Sequence, residues 1–163
     1  MNEIMAMAYV RGSESFPSVR GLVTFTPMGT GTMVTAAVEG LPEYRPADGG
    51  MRPVGPFGFH IHRMGDCAPQ GTAEPFTGAG EHWDPDGQPH GNHAGDFPVL
   101  ISQDGRAWMQ FYTDRFRPGD VTGKSVMIHE NPDDYTTQPS GGSGRRIACG
   151  VIRSAGAPYE VIY

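Results

Sequence analysis

In "GFHIHRMGDC", residues 58–67, two histidines stand one residue apart inside an otherwise apolar run. A β-strand repeats its side-chain direction every two residues, so His60 and His62 point to one face. Such a pair can be a surface accident, part of a buried hydrogen-bond network, or two ligands of one metal ion. The other histidines weigh on that choice. The chain has six: His60, His62, His82, His90, His93 and His129. Five lie in or at the mouth of one long polar stretch, and the sixth ends the apolar run before a second one. A solvated face would scatter histidines among Lys and Glu, so this clustering favours metal. A second local pattern supports it. In "PHGNHAGD", His90, His93 and Asp96 are spaced H-x2-H-x2-D, with Gly91 and Gly95 allowing tight turns. Two nitrogen donors, one carboxylate oxygen and a further imidazole make a tetrahedral zinc shell. The bland alternative is a polar, Gly-rich turn. The helical H-E-x-x-H of zinc proteases is absent.

Something must position these side chains, and the composition says what. Gly 24 and Pro 15 are together nearly a quarter of the 163 residues, which favours short strands and irregular loops over long helices. "YVRGSESFPSVRGLVTFTP" reads as two strands and a turn, and "GTMVTAAVEGLP" as a third strand. Residues 42–57 are loop by composition, followed by the strand "GFHIHRMG". From Asp66 to Asp96 apolar periodicity is nearly absent, and a loop of that length inside a compact domain usually carries function or a metal. "FPVLISQDGRAWMQFYTD" predicts a hairpin around Asp104-Gly105. "GKSVMIHE" is a strand ending near His129, "NPDDYTTQPSGGSGR" a second loop, and "RRIACGVIRS" the last strand. No helix of two turns is expected. The pattern predicts one all-β domain over residues 1–163, an antiparallel sandwich or barrel with two long loops.

The bulk properties exclude several classes. A net charge of −6 leaves no basic footprint for nucleic acid. No apolar run approaches the ~20 residues of a membrane-spanning helix. "MNEIMAMAYV" has an acidic residue and no basic n-region, so it does not read as a signal peptide. As written the chain reads as cytoplasmic; a removed leader would make it extracytoplasmic. Cys67 and Cys149 are the two cysteines, and composition alone favours free buried thiols over a bridge.

From near residue 6 to about residue 153 the chain resembles the copper–zinc superoxide dismutase family. The motifs that carry the resemblance are "GFHIHRMGDC", "HWDPDGQPHG", "HAGDFP", "MIHENPDD" and "GRRIACGVI", in that order, with all six histidines placed. It implies an eight-stranded Greek-key sandwich or barrel holding one copper and one zinc. That family is itself a known example of the sandwich and of near-diffusion-limited turnover, so neither point is a deduction from these residues. The resemblance assigns copper to His60, His62, His82 and His129, and zinc to His82, His90, His93 and Asp96, with His82 bridging. It implies that His82 leaves copper on reduction, takes up a proton and returns it when peroxide forms. Asp133 matches an aspartate that hydrogen-bonds one histidine of each metal, Arg146 an arginine beside the open copper position, and Cys67 and Cys149 an intrachain disulfide. A homodimer is compatible with this reading.

The implied reaction is dismutation of superoxide to oxygen and peroxide. It requires a metal with two accessible one-electron states, which copper has and zinc lacks. In an acidic chain, Arg146 would supply the local cation that attracts the anion, whereas Arg145 reads as ordinary surface charge. The competing reading is a non-catalytic copper or zinc store on the same fold, because fold does not fix function. A store needs neither a bridging ligand nor an arginine at an open position. A zinc hydrolase would need a general-base carboxylate motif that is not visible. Three features depart from the family. His90 and His93 are closer together than is usual, so the zinc site is expected to form differently, bind more weakly or take copper. The second loop is short and lacks Lys and Glu, which predicts a lower on-rate or weaker salt dependence unless Arg63 and Arg145 compensate. Arg63 stands where relatives often carry an acidic residue.

Overall fold

A computed structural model describes residues 5–69 and 74–155. Seven strands are present among them: β1 Ala6–Gly12, β2 Arg20–Met28, β3 Gly31–Glu39, β4 Phe59–His62, β5 Ala107–Thr113, β6 Ser125–His129 and β7 Arg146–Ser154. All pair antiparallel in one curled sheet of order β4-β6-β7-β1-β2-β3-β5. Among the described residues, helix is confined to α1, Pro118–Val121, and a 3-10 turn at Thr77–Ala79. No helix among the described residues is long and apolar enough to cross a membrane.

Alternation builds the core. Ala6, Ala8 and Val10 of β1, Val23 and Phe25 of β2, and Val34, Ala36 and Val38 of β3 all face inward. From the other side come Phe59 and Ile61 of β4, Val126 and Ile128 of β6, and Ile152 of β7. Burying each of the larger side chains stabilises the fold by roughly 1.5–3 kcal/mol.

The eighth expected strand is the first arm of the predicted hairpin, and it does not form a ladder. Its turn is as expected: Asp104 and Gly105 both have positive φ, 51° and 73°, and Gln103 and Arg106 exchange backbone hydrogen bonds. Upstream, only isolated contacts remain, with Leu100 bonded to Phe57 and the Phe97 N–H donating to the Phe59 carbonyl. The reason is local. Pro98 has no N–H to donate. The Val99 N–H donates 2.9 Å to the Tyr135 hydroxyl, which itself donates 3.1 Å to the Phe97 carbonyl. A side chain from the second loop therefore occupies the positions of a strand partner.

The long loop after β4 is pinned by the Cys67–Cys149 disulfide, so the two cysteines are not free thiols. Cys149 lies in β7 opposite Met127 of β6, and both pack with Phe76 and Ala79 in a small apolar cluster beneath the loop. The bridge closes a sequence separation of 82 residues. Chain entropy then assigns roughly 4.5 kcal/mol to the cross-link. Cys67→Ser is expected to lose about that much in denaturant unfolding; a loss under about 1 kcal/mol would show that the loop is ordered by other contacts.

Candidate metal centre

β4 faces two media. Phe59 and Ile61 enter the apolar core, while His60 and His62 point to the opposite face, and all four residues are buried. On β6, Ser125 lies opposite His62 and Met127 opposite His60. A register shift between Ile128 and His129 ends the ladder, and His129 pairs with Arg146 at the start of β7. The two long loops cover this face, bringing His82, His90, His93 and Asp96 from the first and Asp133 from the second.

Two donor groups result. His60, His62, His82 and His129 form one, and His82, His90, His93 and Asp96 the other, each with its ligand atoms within 4.8 Å of one another. The seven ligand residues that the resemblance assigns fall within these two groups, and His82 belongs to both. The short spacing does not prevent the second group from forming. Gly91 permits it: φ is +92°, and a Cβ there would lie 2.0 Å from the Tyr135 carbonyl oxygen. The Gly91 and His93 N–H groups donate to Asp96 Oδ2 at 2.8 and 3.0 Å, leaving Oδ1 beside His82 and His93.

Second partners fix which nitrogen of each ring is available. The Gly80 and Gly144 carbonyls can only accept, so His62 and His129 carry their protons on Nδ1, at 2.8 and 3.1 Å. The two Nε2 atoms then present lone pairs to each other across 3.3 Å, which a cation between them would relieve. Asp133 takes His60 Nε2 at 2.6 Å on one oxygen and His90 Nε2 at 2.9 Å on the other. That leaves His60 Nδ1 and His90 Nδ1 turned to the two donor groups. Both are buried without a hydrogen bond, although Asp96 Oδ2 lies 3.2 Å from His90 Nδ1 outside hydrogen-bond geometry. His82 donates from Nδ1 to Asp96 Oδ1 at 3.1 Å, and its Nε2 is equally orphaned. Buried polar atoms are normally paired, so three orphaned imidazole nitrogens aimed inward fit metal ions. Four imidazoles suit copper, and three imidazoles with one carboxylate suit zinc.

The electrostatics agree. Burial first, then the charges of neighbouring histidines, pushes His60 and His62 well below the usual imidazole value. Burial likewise brings His129 down to about 3 and lowers His82 against the opposing pull of Asp96. At neutral pH these four rings are uncharged, as ligands must be. Burial works against ionisation of Asp96, yet the His82 hydrogen bond and the adjacent histidines hold its carboxyl down to about 2.

An open cavity of about 500 Å³ reaches His62, His82 and His129, with Arg63, Glu81 and Arg146 among its lining. Arg146 is half-buried and donates to the Phe76 and Gly80 carbonyls. Burial lowers its pKa, an effect that Glu74 and Glu81 oppose only in part. Arg145 turns away from the histidines, pairing with Glu130 at 3.1 Å and lying over the Phe16 ring. Sequence reasoning missed the Arg63–Glu81 pair, 2.8 Å across the cavity mouth, and the contacts of Gln138 and Arg115 with the first loop. Those residues are exposed and polar, with no periodicity or motif to mark them.

Asp133 is the residue both groups share through hydrogen bonds, and Gly141 is the close approach that admits it: a Cβ there would lie 1.8 Å from Asp133 Oδ1. Asp133→Ala would leave two buried N–H donors unpaired and both rings free to turn. Metal affinity in chelator competition is expected to fall about 10–100-fold. Unchanged affinity would mean the rings are held by packing alone.

Residues 19–152 match the family model described as copper/zinc superoxide dismutase. The copper–zinc superoxide dismutase of Deinococcus radiodurans is 38% identical over 154 residues, covering 83% of this chain and 78% of that one. That of Legionella pneumophila is 36% identical over 160 residues, covering 93% and 88%. The Escherichia coli K12 enzyme is 33% identical over 168 aligned positions, covering 92% and 96%. With its histidines, disulfide and curled antiparallel sheet all in place, the chain belongs to the copper/zinc superoxide dismutase family.

Proposed function

We propose that this protein dismutes superoxide, with copper held by His60, His62, His82 and His129 and zinc by His82, His90, His93 and Asp96. The observation that carries the assignment is His82, whose two nitrogens face two different donor groups. A simple metal store has no use for a shared ligand. Bound copper supplies the one-electron cycling that converts two superoxide anions and two protons into oxygen and hydrogen peroxide.

The chain's own residues do the rest. Arg146 is the half-buried cation of the cavity lining. Two of its N–H groups are spent on the Phe76 and Gly80 carbonyls, which fixes the guanidinium plane and leaves other N–H donors for a small anion. His82 Nε2 is the atom at which a proton can be held and given up. That nitrogen is buried without a hydrogen-bond partner, so no protein group competes for a proton there. The carbonyls of Gly80 and Gly144 hold the rings of His62 and His129 in one orientation throughout. The disulfide supports an oxidising, extracytoplasmic setting over the cytoplasmic one.

The direct test is superoxide decay after pulse radiolysis, with protein loaded with one copper and one zinc. A fast second-order rate, below the diffusional ceiling of about 10⁸–10⁹ M⁻¹s⁻¹ because the second loop has no lysine or glutamate to steer the anion, is the expected result, as is its disappearance in His129→Ala. Decay no faster than buffer, with both metals bound, would leave the store reading in place.

Arg63 gives a separate expectation. It cancels Glu81 beside the cavity, and Glu81 is close enough to act on Arg146. The pair is exposed, so it contributes little to stability. Its effect is on the field that the anion crosses. Arg63→Ala would leave Glu81 unopposed, lowering the low-salt rate by about threefold to tenfold and flattening its ionic-strength dependence. Glu81→Gln in the same background is expected to restore the rate. An Arg63→Ala rate equal to wild type at low salt would remove the pair from the substrate's path.

A further inference from the structure

Only Gly91 and Asn92 separate His90 from His93, yet both imidazoles reach one donor group. The turn that achieves this is held from outside by two side chains that touch no ligand atom. Gln138, in the second loop, grips the backbone of His90 from both sides: its Oε1 accepts from the His90 N–H at 2.8 Å, and its Nε2 donates to the His90 carbonyl at 3.2 Å. Arg115, just beyond β5, grips Asn92 in the same manner. Its Nη1 donates to Asn92 Oδ1 at 3.1 Å and its Nη2 to the Asn92 carbonyl at 3.0 Å. Asp86 Oδ2, 3.5 Å from Nη2, anchors the guanidinium to the start of the same loop segment.

The turn's own bonds are of a different kind. The Asn92 N–H donates to the Pro89 carbonyl, and those of Gly91 and His93 converge on Asp96. These bonds close the turn on itself and on a ligand. The two grips fasten it to separate parts of the molecule, the second loop and the stretch after β5. Gln138 also precedes Pro139 and Ser140, which line the cavity wall. One residue thus ties a ligand of the zinc-side group to the channel that the substrate enters.

We propose that Gln138 and Arg115 are positioning residues that hold the His90–His93 turn in its ligating geometry, so that the His82, His90, His93 and Asp96 site is formed before its ion arrives. The proposal rests on the zinc reading of that site. A site ordered in advance loses no backbone freedom on binding, whereas a loose turn must be ordered by the ion itself. Removing a grip therefore shows first in how long the ion stays.

The probe is Co(II), whose visible spectrum reports the geometry of a tetrahedral site. The full-length chain would be loaded with cobalt in place of zinc, then challenged with excess chelator while the cobalt band is followed. Gln138→Ala and Arg115→Ala are expected to release cobalt about tenfold faster than wild type, with a broadened band in Gln138→Ala. Gln138→Glu keeps the acceptor for the His90 N–H and loses the donor, so it should fall between; Arg115→Lys, with one point donor, should do likewise. Arg20→Ala breaks an exposed pair with Glu39 on β2 and β3, and its release rate should equal wild type. A purely structural role would lower thermal stability in all these variants without changing the cobalt band. Release within twofold of wild type in both alanine variants and in Gln138→Glu would overturn the proposal. A wild-type chain that binds no tetrahedral cobalt would overturn the zinc reading instead, and the proposal with it.

Discussion

A histidine that ligates a metal with one nitrogen must dispose of the proton on the other, and in a buried site no water is at hand to take it. Four of the six rings here meet that constraint with fixed protein acceptors: Gly80 for His62, Gly144 for His129, and Asp133 for both His60 and His90. The acceptors come from both long loops, Gly80 from the first and Asp133 and Gly144 from the second, so the protonation pattern depends on how the two loops are arranged. Asp133 carries the greatest share. Its two oxygens face one ring from each donor group, and its Oδ1 also receives the Tyr135 N–H at 2.7 Å. The two groups are therefore coupled by an acceptor on one side and by the His82 ring on the other.

The sheet makes that constraint affordable by giving the histidines a rigid base. His60 and His62 alternate with Phe59 and Ile61, whose side chains are fully buried in the apolar core. The strand cannot slip by one residue, because a slip would exchange imidazoles for aromatic and aliphatic groups across the sheet. β6 repeats the arrangement with Val126 and Ile128 inside, and its register shift at His129 brings that ring into line with the others. The disulfide and the small cluster of Phe76, Ala79 and Met127 then hold the first loop down, which places the Gly80 carbonyl between His62 and Arg146.

How much of this could be read from the residues follows from which forces have a period. Strands alternate, and all seven were visible as alternating or continuous apolar runs between glycine and proline. The hairpin turn at Asp104-Gly105 was legible because its chemistry is local. Its first arm was not, because the Tyr135 hydroxyl that takes over the ladder positions at Phe97 and Val99 comes from thirty-odd residues away. The metal ligands stood out by residue type and clustering, while the pairing of Cys67 with Cys149 was accessible only through family resemblance. Exposed polar residues such as Gln138, Arg115 and Arg63 have neither period nor type to distinguish them. Their contacts are set by how two irregular loops meet, and a single sequence does not encode that legibly.

The same meeting of loops determines where the attraction for an anion can come from. The chain is acidic overall, and its second loop has no lysine or glutamate to shape a field around the cavity. What remains near the cavity is a fixed set of charges. Arg63 adjoins the end of β4, Arg146 begins β7, and Glu81, paired with Arg63, and Asp84 come from the first loop on either side of His82 and Trp83. Of these, Arg146 acts from a half-buried, anchored position where water screens it less. A guanidinium bound to two backbone carbonyls cannot swing toward Glu81 or Glu74 to neutralise itself. Its charge is held open toward the cavity by the backbone hydrogen bonds of the first loop, including the one at Gly80 that also orients His62. Substrate attraction and ligand orientation in this protein thus share one carbonyl oxygen.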